Sequence, residues 1–248
     1  QIAYVSRVGE SAGKMYGFVY DGTYKEEDFN ITVNENGKKT YELKPGVPKF
    51  KDGCQPGDPK YKNIDGSEDN LITDNDRTVI GNGHPLHTGG FTNNFVYKNW
   101  DLNIFLQWSY GNDVFNVNRL VMENPGAKKQ LNQFASYKNR WSESNPTSNI
   151  PRVRAVGADE YSSLYVEDGS FLKLKTISLG YNFDTKTLKR IGLSAARVFV
   201  SAENIATITG YSGSDPEVST RHSVLTPGFD WSAYPRAFNA SLGVNVTF

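Results

Sequence analysis

The 248-residue sequence has a single cysteine (Cys54), no excess of either charge and no long hydrophobic run. One cysteine excludes an internal disulfide framework and a cysteine-based zinc site. The 27 basic and 27 acidic side chains give a formal net charge of zero, which argues against nucleic-acid binding because that function needs a basic surface. No stretch approaches the roughly 18 apolar residues of a transmembrane helix. The lack of a long hydrophobic run does not exclude a membrane β-barrel, because barrel strands alternate apolar and polar residues and score poorly on hydropathy.

The sequence is instead rich in aromatic and glycine residues. Hydrophobic residues make up only 38% of the chain, whereas aromatic residues make up 13% and glycine occurs 23 times. This balance is unlike a helical bundle. It favours a β protein with long polar loops, or a barrel that is polar on one face.

Three segments alternate apolar and polar residues with a period of two, which indicates strands with one apolar face. The first is a hairpin over residues 88–110. The second joins residues 171–183 to residues 197–204 through a short polar link. The third is the last strand, residues 238–248, in which every second residue is apolar and the others are small or polar.

The remaining sequence predicts mostly loops. A short aromatic strand is expected over residues 16–24, an irregular loop over 25–60, a loop with a short amphipathic helix over 127–141, and another long loop over 206–234. Short and long links alternate, as in barrels that have tight turns at one rim and large loops at the other. About six to eight strands are expected in total, fewer than a large membrane barrel needs to close.

Five segments carry recognisable motifs, in order along the chain. They are residues 57–81 (GDPKYKNIDGSEDNLITDNDRTVIG), 97–116 (YKNWDLNIFLQWSYGNDVFN), 165–183 (YVEDGSFLKLKTISLGYNF), 202–217 (AENIATITGYSGSDPE) and 234–248, which ends in LGVNVTF. Together they resemble SusC-like TonB-dependent transporters. The motifs cover nearly the whole chain, and several in order are specific where one alone would be weak.

The resemblance implies an all-β fold, the C-terminal part of an antiparallel transmembrane β-barrel in the bacterial outer membrane, with long external loops. It implies import of glycans or peptides rather than enzymatic activity. The partners it implies are outer-membrane lipid, a SusD-like surface lipoprotein that lids the barrel, and an inner-membrane TonB complex that supplies energy. We expect residues 1–248 to be one portion of the barrel domain, with the plug domain and TonB box absent from this chain.

An acidic stretch has the spacing of an EF-hand-type calcium loop. Oxygen ligands at positions 1, 3, 5, 7, 9 and 12 of such a loop wrap one Ca²⁺ ion. The residues at those positions are Asp65, Ser67, Asp69, Leu71 (through its carbonyl), Thr73 and Asp76. Asn70 replaces the usual glycine at position 6 and tolerates the left-handed backbone needed there. The prediction is a structural Ca²⁺; the alternative is an acidic turn held by its own side-chain hydrogen bonds.

Aromatic residues of the loops are candidates for substrate contact, because sugar rings stack on aromatic faces. These candidates are Trp141, Tyr211, Phe229, Trp231 and Tyr234. For any one of them, loop packing or a place in an interfacial belt is the competing interpretation.

The last strand also suggests an assembly signal. A terminal aromatic after alternating apolar residues resembles the signal that outer-membrane assembly machinery reads. The residues concerned are Phe238, Leu242, Val244, Val246 and Phe248.

Two other classes of protein remain as alternatives. A soluble all-β carbohydrate-binding module with a structural calcium loop would share the aromatic residues and the neutral charge. It would need a cover for the apolar stripe of residues 238–248. An all-β glycosidase would need an acid and a base about 5–9 Å apart, and no such pair is evident in the sequence.

Overall fold

The computed structural model describes residues 3–123 and 132–248. The strands are β1 Tyr4–Val5, β2 Lys14–Gly17, β3 Tyr20–Thr23, β4 Phe29–Val33, β5 Lys39–Leu43, β6 Pro59–Tyr61, β7 Thr78–Asn82, β8 His87–Tyr97, β9 Trp100–Tyr110, β10 Asp113–Asn116, β11 Val166–Asp168, β12 Phe171–Asn182, β13 Ala195–Thr209, β14 Phe229–Asp230 and β15 Asn239–Thr247. The α-helices are α1 Val117–Met122 and α2 Thr185–Lys189, and the 3₁₀ helices are Glu26–Asp28, Asp74–Asp76, Ala135–Asn139 and Ser163–Tyr165.

The described residues form two compact units. The sheet unit comprises Pro85–Asn112, Asp168–Val218 and Tyr234–Phe248, and the loop unit comprises the chain up to His84, Asp113–Glu167 and Ser219–Ala233.

One antiparallel sheet of five strands builds the sheet unit, in the order β15-β13-β12-β9-β8. Strands β8 and β9 form the first predicted hairpin, joined by Lys98 and Asn99. Lys98 has a φ of 54°, as tight hairpin turns require positive φ. The second hairpin and the last strand are confirmed too, since β12 pairs with β13 and β13 pairs with β15.

A β-bulge interrupts this sheet between Leu174 and Thr176. On the β9 side, Leu174 pairs with Leu106 and Thr176 pairs with Phe105, so Lys175 is an extra residue. The bulge resets the alternation: Leu172 and Leu174 precede it and Ile177 and Leu179 follow it, yet all four have apolar cross-strand partners on β9. Without the extra residue, the second half of β12 would turn its apolar side chains to the polar face.

The loop unit has small sheets around three clusters of buried apolar residues. The sheets are β1-β2-β7, β11-β10-β14, β3-β6 and β4-β5. The largest cluster packs Met15, Phe115, Tyr165 and Phe229, with the Phe115 and Phe229 rings stacked at a centroid distance of 6.1 Å. Strand β10 pairs with β14 in parallel, so residues that are distant in the sequence complete one core.

Several expectations for the loop unit are wrong. Residues 25–60 are not one irregular loop, because β4 and β5 pair over five residues each and β6 follows. The aromatic strand over residues 16–24 is divided at Phe18, whose backbone bonds to Tyr161 and Ser163 instead of continuing β2. The described residues contain fifteen strands, more than the predicted six to eight, because most strands of the loop unit are only two to five residues long.

The helices also differ from expectation. Of the helical segment expected over residues 127–141, residues 127–131 lie outside the described residues, and Ala135–Asn139 form a 3₁₀ helix. Helix α1 was not predicted; the Asn116 side chain caps it by accepting from the Arg119 N–H. Helix α2 lies in a link expected to be only short and polar. Among the described residues, none of the helices has the length and apolar character to cross a membrane.

Candidate functional site

The five-stranded sheet has one face on which almost every side chain is apolar. Directly paired residues share a face, and the register aligns Phe91 with Leu106, Leu106 with Leu174, Leu179 with Val200, and Val200 with Leu242. This face is exposed on every strand. Its exposed large side chains include Phe91, Phe95, Trp100, Leu172, Leu179, Val200, Ile208, Leu242, Val244 and Val246.

The opposite face is mainly polar. The register places Asn94 beside Asn103, Asn103 beside Ser178, Ser178 beside Ser201, and Ser201 beside Ser241. Five strands therefore present rows of hydroxyl and amide groups, interrupted by Phe105 and Phe199. Phe199 lies against Gly243 of the neighbouring strand, where a β-carbon would overlap the ring. The sheet is thus two-faced, with an apolar side and a side that suits water.

A buried cluster of charges lies on the polar face. The Lys173 ammonium bonds to the Glu217 carboxylate and lies 3.4 Å from Oδ1 of Asp215. Lys173 is 2% exposed and Asp215 is 6% exposed. Burial acts to raise the pKa of Asp215, but the N–H groups of Glu217 and Arg236 and the Lys173 ammonium outweigh it and hold that pKa below its usual value.

No role was predicted for Lys173, Asp215 or Glu217. The sequence does carry a signal, because the apolar alternation of β12 changes phase after Leu174. A phase change inside a strand indicates a bulge, and the two lysines beside it, Lys173 and Lys175, are spaced by two residues and therefore share the polar face. The acidic partners, Asp215 and Glu217, lie about 40 residues later in the sequence. No local sequence pattern indicates that they contact Lys173.

The predicted calcium loop is closed by hydrogen bonds to its own backbone. Asp76 is fully buried: Oδ1 accepts the N–H groups of Ile64 (2.7 Å) and Asp65 (3.2 Å), and Oδ2 accepts the N–H of Thr73 (2.8 Å). Asn70 has the predicted left-handed backbone, with a φ of 52°.

The other acidic side chains of this loop also bond locally. Oδ1 of Asp65 accepts from Ser67 N, and Oδ1 of Asp69 accepts from Leu71 N. Within residues 3–123 and 132–248, no three His, Cys, Asp or Glu side chains are grouped so as to hold a metal ion. Calcium binding stays a prediction.

The five candidate aromatic residues differ in exposure. Tyr211 and Phe229 are buried, at 5% and 7% exposure, whereas Tyr234 is 89% exposed. Trp231 is partly buried against the cluster that contains Phe229, and the Trp141 ring lies against Gly57. Tyr234 thus exposes a ring face that a ligand could contact; substrate contact by any of the five stays a prediction.

The residues of the suggested assembly signal share one exposed face of the C-terminal strand. Phe238 and Phe248 are 60% and 90% exposed, and Leu242, Val244 and Val246 lie between them on β15. Strand β15 pairs only with β13 among the described strands. Recognition of these residues by an assembly machinery stays a prediction.

No family model matches the chain. The chain is 33% identical over 249 residues to TonB-dependent receptor P3 of Formosa agariphila, covering 98% of this chain and 23% of that receptor. It is 30% identical over 164 residues to TonB-dependent receptor SusC of Bacteroides thetaiotaomicron, covering 64% of this chain and 15% of SusC. The chain belongs to the SusC-like TonB-dependent receptors, as the motifs indicated.

Solved structures show the same fold as this SusC-like chain. The RagAB peptide transporter matches with a TM-score of 0.67 at 22% identity, over 95% of this chain and 23% of that one. The RagAB peptide importer in its 'open-open' state matches with a TM-score of 0.64 at 20% identity, over 95% of this chain and 22% of that one. The shared fold is mostly β-strand with few helices.

The SusC-like chain spans about a quarter of the length of the TonB-dependent receptors that it matches. These relatives are named as receptors and transporters, which is consistent with a non-enzymatic protein.

Proposed function

We propose that this chain forms part of the transmembrane barrel wall and the external loops of a TonB-dependent importer in the bacterial outer membrane. The observation that carries the proposal is the two-faced sheet. Soluble monomers rarely expose apolar patches of more than a few hundred Å². Here large apolar side chains are exposed on all five strands. Contact of this surface with lipid is favourable, whereas its contact with water is unfavourable.

The dimensions of the sheet support a membrane location. Its strands are 9 to 15 residues long, and a tilted strand needs about 9–11 residues to cross a bilayer. Aromatic pairs mark both ends of the apolar face: the Trp100 and Tyr181 rings lie 4.8 Å apart at one end, and His87 and Tyr110 stack at the other. Such pairs suit the two membrane interfaces.

The links between strands support an orientation. Strands β8 and β9 are joined by two residues, and β12 and β13 by a link of twelve residues that contains α2. Both links leave the end of the sheet at which Trp100 and Tyr181 lie. Outer-membrane barrels have short periplasmic turns and longer extracellular loops. We therefore assign this end to the periplasm and the opposite end to the cell exterior.

Further strands would complete the barrel. Strands β8 and β15 each have one partner among the described strands, and an unpaired edge is unstable in lipid because its N–H and C=O groups lack partners. Those further strands come from the rest of the receptor, of which this chain matches about a quarter.

The transported solute is proposed to be a glycan, with a peptide as the alternative. The SusC resemblance motivates glycan import, and the name of the RagAB peptide transporter motivates the alternative. The proposed partners are a SusD-like lipoprotein at the cell surface and the TonB complex, which would act on a region outside this chain. Uptake of labelled oligosaccharides and labelled peptides by cells with and without the receptor distinguishes the substrates; uptake of neither would contradict import.

The membrane location has its own test. Leu242→Cys and Ser241→Cys are neighbours on opposite faces of β15, so they form a matched pair. Each variant of the full-length receptor is labelled with a fluorophore and reconstituted with brominated lipids. The label at position 242 is expected to be quenched and the label at position 241 to be spared. Equal quenching would contradict the assignment of the apolar face to lipid. A chain that stays monodisperse without detergent would favour the soluble carbohydrate-binding module.

A further inference from the structure

The polar face of the sheet carries two lysines next to the β-bulge of β12. Lys173 and Lys175 flank Leu174 on β12, and the bulge at Lys175 lets Thr176 follow them on the polar face. Both ammonium groups approach the same carboxylate, that of Glu217. The spacing of two residues therefore concentrates positive charge at one point of this face.

The anions opposite these lysines come from a segment that leaves the end of β13. We call residues 211–218 the inner segment. Asp215 and Glu217 of the inner segment contact Lys173, and the backbone N–H of Arg236 donates to Oδ2 of Asp215 at 3.3 Å. The Arg236 side chain lies 3.7 Å from Glu217. Three cations thus enclose two carboxylates, and the pairing offsets the desolvation of a lysine that is 2% exposed.

Other contacts turn the inner segment back toward the sheet. The Tyr211 N–H donates to Oγ1 of Thr209, whose hydroxyl donates to the Ser170 carbonyl at 2.8 Å. The Tyr211 ring is buried and lies against Gly213, where a β-carbon would overlap it. The inner segment therefore folds over the polar face instead of extending away from the end of the strands.

We propose that Lys173 is a positioning residue that anchors the inner segment over the exterior end of the polar face and thereby sets the size of solute that can pass along it. The inference rests on the proposed function, since it takes the polar face to line the transport path. The ion pairs are the anchor, because they join the inner segment to Lys173 and Lys175 near the start of β12. Loosening them lets the inner segment withdraw and widens the path.

The anchoring is tested by hydrogen–deuterium exchange of the inner segment in the full-length receptor in lipid nanodiscs. Glu217→Gln and Lys173→Met are expected to speed exchange in residues 211–218 by about tenfold, because loss of the ion pairs makes local opening of this segment easier. Lys173→Arg, which keeps a cation beside Asp215 and Glu217, is expected to retain protection. Asp101→Asn, on the same face but away from this cluster, is the control and is expected to leave exchange unchanged.

The effect on passage is tested by uptake of two labelled series, oligosaccharides and peptides of increasing length. In Glu217→Gln the shortest members are expected to enter at the wild-type rate, while longer members that the wild type excludes now enter. Lys173→Arg, which keeps the cation, is expected to keep the wild-type limit. A merely structural role would lower uptake of all lengths together, because less folded receptor would be present.

Three results would separate the possibilities. Unchanged exchange in Glu217→Gln overturns the anchor. Faster exchange with the same size limit overturns the role in selection. If the wild type imports neither series while Glu217→Gln still speeds exchange and Lys173→Arg does not, import is overturned as the function and the anchor is retained.

Discussion

Arg197 reaches Asp101 across the strand that lies between them. Nη2 of Arg197 lies 2.5 Å from Oδ2 of Asp101, and Nε lies 3.2 Å from Oδ1. Their strands, β13 and β9, are separated by β12. Gly180 of β12 is paired with Asp101, and a β-carbon there would lie 2.6 Å from Oδ2 of Asp101. A glycine between the two charged side chains is what allows them to meet.

We expect Gly180→Ala to push Asp101 and Arg197 apart. The added methyl group overlaps both side chains, and an ion pair that is about one-third exposed contributes roughly 0.2–1 kcal/mol. Samples of the full-length receptor are heated in steps and then run on a gel that preserves the folded band. The temperature at which this band disappears is expected to be lower in Gly180→Ala. Asp101→Asn removes the pair independently, so the two substitutions together should cost less than their sum. Strict additivity would mean that the glycine serves another purpose.

A charge on the apolar face is expected to destabilise the receptor far more than the same charge on the polar face. Leu242 lies in the middle of β15 with 78% exposure, and its neighbour Ser241 is on the other face. Arginine at a lipid-facing position near the bilayer midplane costs about 2–4 kcal/mol. We expect Leu242→Arg to lose this much in denaturant unfolding from liposomes and Ser241→Arg to lose little. Equal losses would argue that water covers both faces.

The long strands were predictable because a period of two is a local property. In β15 every second residue is apolar, and Leu242, Val244 and Val246 share a face as expected. Strand β13 extends to Thr209, beyond the predicted end at Asn204. Asn204 has a φ of 53° within the paired bulge, and a single left-handed residue leaves no mark on the apolar pattern.

The loop unit was poorly predictable because its pairings are not local. Phe115 stacks on Phe229, and Phe18 bonds to residues 161 and 163. Nothing near Phe115 or Phe18 in the sequence indicates the residue that it contacts. Phe229 illustrates the consequence: an aromatic residue in a long segment is a candidate for ligand contact from composition, yet its side chain is buried because long loops also need buried apolar side chains.

Two glycines with left-handed backbones allow a controlled test of packing in the loop unit. Gly57 and Gly53 have φ values of 87° and 77°, but only Gly57 has a neighbour, the Trp141 ring, which lies 2.5 Å from where a β-carbon would be. The left-handed backbone costs alanine roughly 1–2 kcal/mol at either site. Gly57→Ala must also displace Trp141.

We expect Gly57→Ala to lower the stability of the loop unit more than Gly53→Ala does. Displacement of Trp141 from its half-buried place should also shift its fluorescence emission to longer wavelength. The difference between the two variants isolates the ring contact, since the backbone cost is shared. Equal loss of stability and unchanged emission in both variants would mean that Trp141 moves aside freely.

Asp76 is expected to hold its loop together whether or not calcium is present. Its two oxygens accept three backbone N–H groups, and Asp76→Asn would turn an NH₂ group toward one of those donors. An unsatisfied buried donor costs about 1–3 kcal/mol. We expect faster amide exchange at Ile64 and Thr73 in Asp76→Asn. Asp74→Asn is the control, because the Asp74 side chain is 88% exposed, and it should leave both amides protected.

Calcium binding to the same loop is tested separately from this backbone role. Asp65 and Asp69 each accept one backbone N–H through Oδ1, and both are carboxylates of the kind that ligates Ca²⁺. Ca²⁺ binds through carboxylate and carbonyl oxygens, and its affinity falls as ligand charge is removed. The prediction is therefore that Ca²⁺ slows amide exchange over residues 64–76, that a chelator reverses the effect, and that Asp65→Asn with Asp69→Asn abolishes it. If neither Ca²⁺ nor the chelator changes the amide exchange, calcium binding is contradicted and the segment is an acidic turn held by its own hydrogen bonds.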